Sequence, residues 1–393
     1  MTPYKYPLQT DNFSWIDRLK VAGFILNSKN RLTCGPKVKE LEKEWEVMTG
    51  ALTVATSSGS TANHLLVETF LQEDKIDPSK VVVFAPSTTW SSSISPWLMR
   101  GCKVVLVDIN LNDFSFDYKK LEREVSYAKY RGKVKVIWPT SLIGHLPDIA
   151  NLHRIAARYE ARLFGDFCET TMGSYSGYHV LNTMDMCSTS FFWAHQICSV
   201  EGGMLFTKSR RSQQTAQMIH SHGLTRVLGE DSPKLKDLYE KNNQNIDPAF
   251  LFQTLGTNYR MSDIHAYFGI LDTKKYKIHE KHRKKIWKYF CDNVPNEFLP
   301  LNPAIVPFCL PLILDPSRRP RDIKQVKHSL KDAGWETRPV IAYLPINPAF
   351  RHLDKGDYPN SSFLHYNGLY VGINPNLTTR DLDSLFKTVR SAL

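Results

Sequence analysis

The chain has 393 residues, 42% of them apolar and 23% charged, a packed-protein composition that disfavours disorder, collagen-like repeats and coiled coil. At roughly 100 to 200 residues per domain, this length predicts two or three domains, or one large α/β domain with a smaller appendage. Fifty Lys and Arg against 39 Asp and Glu leave +11, which favours anionic partners without choosing among nucleotides, nucleic acid and membrane surface. No apolar run approaches the roughly 18 residues of a membrane span, and Met1 to Thr10 lacks the charged-then-apolar order of a signal peptide, so a cytoplasmic location is expected. Seven cysteines without a C-x-x-C or C-x-C pair suggest reduced thiols rather than a disulfide framework or a metal site.

From Ala51 to about Thr207, short β-branched runs alternate with helical patterns, the pattern of a mostly parallel sheet covered on both faces. Strands are predicted at Leu52–Ala55, Val81–Phe84, Lys103–Val107, Val134–Trp138, Arg162–Phe164 and Gly203–Phe206. Ligands of open α/β sheets sit outside the carboxyl ends of such strands, which gives weight to the residues that follow them. Beyond residue 208 the pattern turns helical, with a basic amphipathic stretch at Lys274–Phe290 carrying Tyr276, Ile278, Ile286 and Tyr289 among its charges. It reads as a surface helix, with no nucleic-acid motif, and its His279-Glu280-Lys281-His282 fails the H-E-x-x-H pattern because position 283 is Arg. After Pro303, a strand-like run (Ile305–Leu314), a helical stretch (Asp322–Ala333) and further β-like segments predict a small α+β domain, with turns at Pro316–Pro320 and Pro345–Pro348. The expected division is a large domain over 1–255 and a smaller one over 256–393 that includes the linking helix.

Four strand ends carry unusual residues. Ser57 to Asn63 places hydroxyls at a helix N-terminus, where free N–H groups favour a phosphate, although such residues also serve as ordinary caps. Trp90 lies among small polar residues after the second strand, where it either stacks on a flat heteroaromatic ligand or belongs to the core. Asp166 closes a third strand, where a carboxylate can keep a pyridine nitrogen protonated, as a pyridoxal cofactor requires, or merely cap a turn. Ser188 to Gly203 then brings Ser190, His195 and Glu201-Gly202-Gly203 ahead of the last strand of the series.

This last stretch resembles the DegT/DnrJ/EryC1/StrS sugar aminotransferase family, fold type I enzymes dependent on pyridoxal phosphate. Gly35-Pro36, Ser58-Gly59-Ser60, Pro86 to Trp90, Gly144, Asp166, Gly256 to Met261 and Glu336 to Pro339 agree in order, so the resemblance covers roughly residues 10 to 390. The resemblance implies that Ser60, Thr61 and Ser190 bind the cofactor phosphate, that Trp90 stacks on the ring and that Asp166 meets its nitrogen. It further implies that Asn258 reaches the phosphate from a second subunit of a homodimer with shared active sites, and that Arg260 and Arg338 meet anionic substrates. Glu169 stands near the ring where many relatives carry Gln or His. Where the aminotransferases have the lysine that bonds the cofactor, this chain has His195, and no lysine occurs between Asp166 and Lys208. The sequence is most similar to the branch of the family that removes the 3-hydroxyl of a nucleotide-linked 4-keto-6-deoxyhexose. That resemblance implies noncovalently held pyridoxal 5'-phosphate and pyridoxamine 5'-phosphate, His195 as proton carrier, ammonia release and glutamate as amino donor. A nucleotide-sugar aminotransferase and a non-catalytic cofactor- or sugar-binding regulator remain alternatives at this point.

Overall fold

The computed structural model describes residues 4–229, 233–241, 246–315, 317 and 322–393. Strands follow in the order β1 (Leu52–Thr56), β2 (Val81–Pro86), β3 (Lys103–Val107), β4 (Val134–Ile137), β5 (Ala161–Asp166), β6 (Ser174–Tyr175), β7 (Tyr178–His179), β8 (Met186–Ser190), β9 (Gly203–Thr207), β10 (Cys309–Ile313), β11 (Thr337–Pro339) and β12 (Gly368–Gly372). The helices are α1 (Trp15–Leu26), α2 (Pro36–Thr49), α3 (Gly59–Glu73), α4 (Ser91–Met99), α5 (Tyr118–Ser126), α6 (Ile149–Tyr159), α7 (Arg210–Ile219), α8 (Pro233–Lys241), α9 (Asp263–Thr273), α10 (Tyr276–Asn293), α11 (Ile323–Asp332), α12 (Pro359–Asn367) and α13 (Thr379–Ala392).

Seven strands form one sheet in the order β1-β9-β8-β5-β4-β2-β3. The four pairings from β8 to β3 are parallel, and β9 runs antiparallel to both β8 and β1. Successive residues of β2 bury themselves in two different apolar clusters, Val82 and Phe84 on one face, Val81, Val83 and Ala85 on the other. Helices cover both faces, which explains why these strands read as unbroken apolar runs. The expected α/β fold is the observed one; strand β8, with its serines and threonine, lacks the apolar signature and was not anticipated. A second sheet, β10-β12-β11, is antiparallel and packs with α11 and α13 around Leu310, Leu312, Val371, Leu385 and Phe386.

Helix α10 differs from the surface helix expected over Lys274–Phe290. Tyr276, Arg283, Ile286, Trp287 and Phe290 are buried, whereas Ile278 is 69% exposed. The buried residues recur at spacings of three, four and seven, one stripe of a helix; Ile278, two residues from Tyr276, turns away from it. The turn expected at Pro345–Pro348 includes a short 3-10 segment over Leu344–Ile346, and that at Pro316–Pro320 lies outside the described residues apart from Ser317.

At the carboxyl edge of the sheet, two backbones cross without room for side chains. A Cβ on Gly203 would lie 2.3 Å from the Ser58 carbonyl oxygen and 2.6 Å from the Gly59 nitrogen, and one on Gly59 would lie 2.5 Å from Ser190 Cβ. These contacts bring the start of α3, the end of β8 and the start of β9 together. Because the obstacles at Gly203 are main-chain atoms, Gly203→Ala is expected to cost about 2 to 3 kcal/mol, read as a lower urea midpoint at unchanged m-value; an unaltered midpoint would contradict this crossing.

Candidate active site

The N-terminus of α3 forms the first wall. Ser58 caps the helix, its Oγ accepting from Thr61 N–H at 3.1 Å while Thr61 Oγ1 accepts from Ser58 N–H at 2.9 Å. Thr61 thus serves the cap, and Ser60 is left exposed on the first turn. The N–H groups of Gly59 and Ser60 belong to that turn and have no intrahelical acceptor. Ser190, pressed against Gly59, adds a hydroxyl beside that of Ser60. Ser60, Ser190 and the helix end are therefore disposed to hold a phosphate.

Asp166 ends β5 in the middle of the sheet and is 3% exposed. One carboxylate oxygen accepts from Asn63 Nδ2 at 2.8 Å and Ser93 Oγ at 2.6 Å, the other from Cys168 N–H at 3.0 Å. Asn63 also donates to the Ser92 carbonyl at 3.2 Å and accepts from Ser188 Oγ. Thr89 Oγ1 and Thr140 Oγ1 lie 2.8 Å apart, and Thr140 bridges to Asp166 through the backbone. The loop carrying Trp90 is thereby tied to Asp166 from both sides, and Trp90 itself is 61% exposed, which removes it from the core. Asn63 and Ser93 were not singled out from the sequence, although Asn63 shares a helical stripe with Leu66, Val67 and Phe70, a polar residue in an apolar phase.

His195 sits on the hairpin connection between β8 and β9. Phe191 N–H donates to the Gly202 carbonyl at 2.8 Å and Ser199 N–H to the Phe191 carbonyl at 2.7 Å. Buried Asp272 accepts from Cys198 N–H at 2.9 Å, and Gln196 spans from Met172 N–H to the Val306 carbonyl. Nδ1 of His195 lies 3.4 Å from the Ser190 carbonyl, an arrangement that leaves Nε2 as the free basic nitrogen. The ring meets Phe192 and Phe308 edge to face, with centroids at 5.7 and 5.6 Å. Burial pushes its pKa down to about 4, with buried Arg283 adding in the same direction and Asp166 opposing, so the imidazole is neutral at pH 7. Arg283 donates to the carbonyls of Pro307 and Phe308 at 3.2 and 2.9 Å, fixing the aromatic wall.

Lys208 does not enter this site. Its neighbour Thr207 pairs with Met186 at the start of β8, whereas Gly203 pairs with Ser190 at the end, so about 13 Å of strand lie between. Glu169 is half-buried, accepts from Ile143 N–H at 2.9 Å, and has its pKa pushed up to about 7 by burial, with the charge of Asp166 adding and the Ile143 bond opposing. Arg338 lies further out. It pairs with Glu336 at 2.9 Å and stands opposite Tyr370 across the small sheet, whose ring is 6.5 Å from Phe308. Asn258 is exposed and accepts from Arg260 Nε at 3.1 Å; within one chain their segment borders β1, where Ser57 N–H donates to the Tyr259 carbonyl at 2.8 Å.

A hydroxyl-lined helix end, a buried carboxylate and an exposed indole at the carboxyl edge of a mostly parallel sheet, beside a smaller antiparallel sheet, define the fold of type I pyridoxal-phosphate enzymes. The chain belongs to the DegT/DnrJ/EryC1/StrS aminotransferase family, which it matches over residues 17–390. It is 27% identical over 383 residues to GDP-4-keto-6-deoxy-D-mannose 3-dehydratase of Escherichia coli O55:H7, covering 93% of this chain and 95% of that protein. An E. coli structure of that dehydratase with bound hydrated PLP superposes with a TM-score of 0.88 at 24% identity, covering 98% of this chain and 99% of the other. A further dehydratase structure, with a trapped PLP-glutamate geminal diamine, has a TM-score of 0.84 at 24% identity over 98% of this chain and 100% of the other.

The two shifted groups bear on stability with opposite signs. Glu169 rises from 4.5 to about 7 on folding, so its stabilising contribution is present below pH 4.5 and is lost as pH rises through 7. His195 falls from 6.5 to about 4, so its contribution is present above pH 6.5 and is lost as pH falls through 4. Relative to the parent, Glu169→Gln should gain stability as pH rises across the first window, and His195→Gln as pH falls across the second. Urea unfolding at a series of pH values measures both, and curves parallel to the parent's would refute the assignments.

Proposed function

We propose that the chain is a pyridoxal/pyridoxamine-phosphate-dependent dehydratase that removes the 3-hydroxyl from a nucleotide-linked 4-keto-6-deoxyhexose. The observation that carries this reading is His195, standing on the β8–β9 connection where the family's aminotransferases carry a lysine, with Lys208 at the far end of β9. Imidazole forms no stable imine, so the cofactor is held by contacts alone: Ser60, Ser190 and the α3 N-terminus on the phosphate, Trp90 against the ring and Asp166 at the pyridine nitrogen. Thr61 supports that cradle by capping the helix. Bound there, the cofactor would supply an amine to join the sugar's keto carbon and a conjugated ring to take up an electron pair.

The residues of the chain handle the protons and the charges. His195, neutral at pH 7 and with Nδ1 turned to the Ser190 carbonyl, accepts a proton at Nε2 and returns it to the departing hydroxyl, which leaves as water. Asp166, screened from solvent and accepting from three donors, places its carboxyl group where a protonated ring nitrogen needs a partner. Glu169, protonated more readily than a free carboxyl, stands beside them as a second proton reservoir. Arg260 and Arg338 offer guanidinium groups to the diphosphate and to the carboxylates of glutamate, the amino donor.

A homodimer completes this reading. Trp15, Leu19 and Leu26 on α1, and Phe250, Phe252 and Leu255 ahead of Asn258, are all more than half exposed, apolar surface of the kind that monomers cover. A partner seated there brings Asn258 to the phosphate of the neighbouring site. Among the described residues, no helix is long and apolar enough to cross a membrane.

The test is incubation of the purified protein with pyridoxal phosphate, glutamate and a panel of nucleotide-linked 4-keto-6-deoxysugars, with products identified by mass. Loss of the 3-hydroxyl with release of ammonia is the expected outcome; an amino sugar would instead establish the aminotransferase reading suggested by the family's other members, and no conversion with any sugar would favour a binding protein. His195→Lys should lose dehydration by about 10² to 10⁴-fold while borohydride locks cofactor mass onto the protein. Dehydration retained in that variant would refute the role given to His195.

A further inference from the structure

A second cavity, of about 600 Å³, opens on the far edge of the large sheet, between β3 and the segment His352–Tyr358. Strand β3 is the edge strand, three positions from β5, so the cavity lies roughly 14 Å from the Asp166 strand at about 4.8 Å per strand. Ser87 N–H donates to the Val107 carbonyl, which turns the backbone groups of Val107, Val105 and Lys103 toward β2. By alternation, the N–H and C=O of Val104 and Leu106 point the other way, into the cavity, where a donor and an acceptor recur at strand spacing.

The walls supply the rest of a binding site. Tyr127, 37% exposed, presents an aromatic ring at the cavity wall, with Lys129 Nζ 4.6 Å from its centroid, while the ring of Tyr130 is buried against Phe84 and holds Lys129 and Lys103 Nζ at 5.1 and 5.0 Å. Lys355 and His352 face them from the opposite side. Among the described residues, none of these lysines is ion-paired, and Glu124 is the only carboxylate lining the cavity. Several unpaired cations, a stacking surface and an open strand edge favour a flat, hydrogen-bonding, anionic molecule, and the volume lies in the range of small-molecule sites.

We propose that this cavity binds a purine nucleotide, its base read by the free backbone groups of Val104 and Leu106 and stacked on Tyr127, its phosphates met by Lys103, Lys129 and Lys355. The bound nucleotide bridges the edge of the large sheet and the 352–358 segment, apart from the catalytic centre and independently of the reaction performed there.

The test is photolabelling of the full-length protein with 8-azido-ATP, with labelled peptides mapped by mass spectrometry, and equilibrium dialysis with radiolabelled ATP. Label is expected within 102–130 or 352–358, and the double variant Lys129→Glu/Lys355→Glu should lose it and bind ATP at least about tenfold more weakly, the loss of one or two charge-assisted contacts. Lys129→Ala/Lys355→Ala, with the parent's melting temperature, separates lost binding from lost folding and should show the same direction of effect. Label confined to peptides of the Trp90 or His195 loops, label unchanged in both variants, or displacement by inorganic phosphate as effective as by ADP would each overturn the proposal.

Discussion

The buried carboxylate of Asp166 is the constraint around which the seven-stranded sheet and its helices are arranged. A charge at 3% exposure carries a desolvation cost of several kcal/mol unless dipoles replace its water, and here the replacement comes from three directions: α3 through Asn63, α4 through Ser93 and the loop after β5 through Cys168 N–H. Asn63 is itself committed further, to the Ser92 carbonyl and to Ser188 on β8. Satisfying one charge therefore fixes the relative positions of two helices and two strands. Networks of this kind are worth more complete than in part, because an abandoned member keeps its desolvation cost.

Much of this was legible in the sequence, for definite reasons. Strands β1 to β5 and β9 are apolar runs because both faces of the sheet are covered, so their ends, and with them Ser58, Trp90 and Asp166, could be placed by hydrophobicity alone. Strand β8 escaped notice because its inner positions are Ser188, Thr189 and Ser190, hydroxyls that bond to Asn63 and Thr171 rather than pack as hydrocarbon. Asn63 and Ser93 escaped for the same reason: their meaning lies in partners 103 and 73 residues away. The stretch Lys274–Phe290 reads as solvated because its eight Lys and Arg outnumber its six apolar residues, yet Arg283 is among the buried ones, its charge met by backbone carbonyls. Composition along a helix does not reveal which cation a neighbouring loop needs.

The wall facing the imidazole is assembled from both sheets. Phe308 precedes β10 and Tyr370 lies in β12, while His195 comes from the large sheet, so the environment that lowers the histidine's pKa exists only when the two sheets are docked. The N-terminal segment bridges the two sides: Tyr6 stacks on Trp335 at 4.1 Å beside the small sheet, and Gln9 Nε2 donates to the Trp193 carbonyl on the β8–β9 connection at 3.2 Å. Proton chemistry and the packing of the two sheets are thus coupled through a handful of aromatic rings.

The connection between β8 and β9 is secured by main-chain bonds, by Asp272 and by Gln196, while the side chain at 195 adds one long hydrogen bond and edge contacts with two rings. What anchors this loop is therefore separate from what acts on a ligand. Such a division lets a lineage exchange one reactive group for another at the same address without having to rediscover a way to fold, so that divergence of reaction type within this architecture requires few genetic steps.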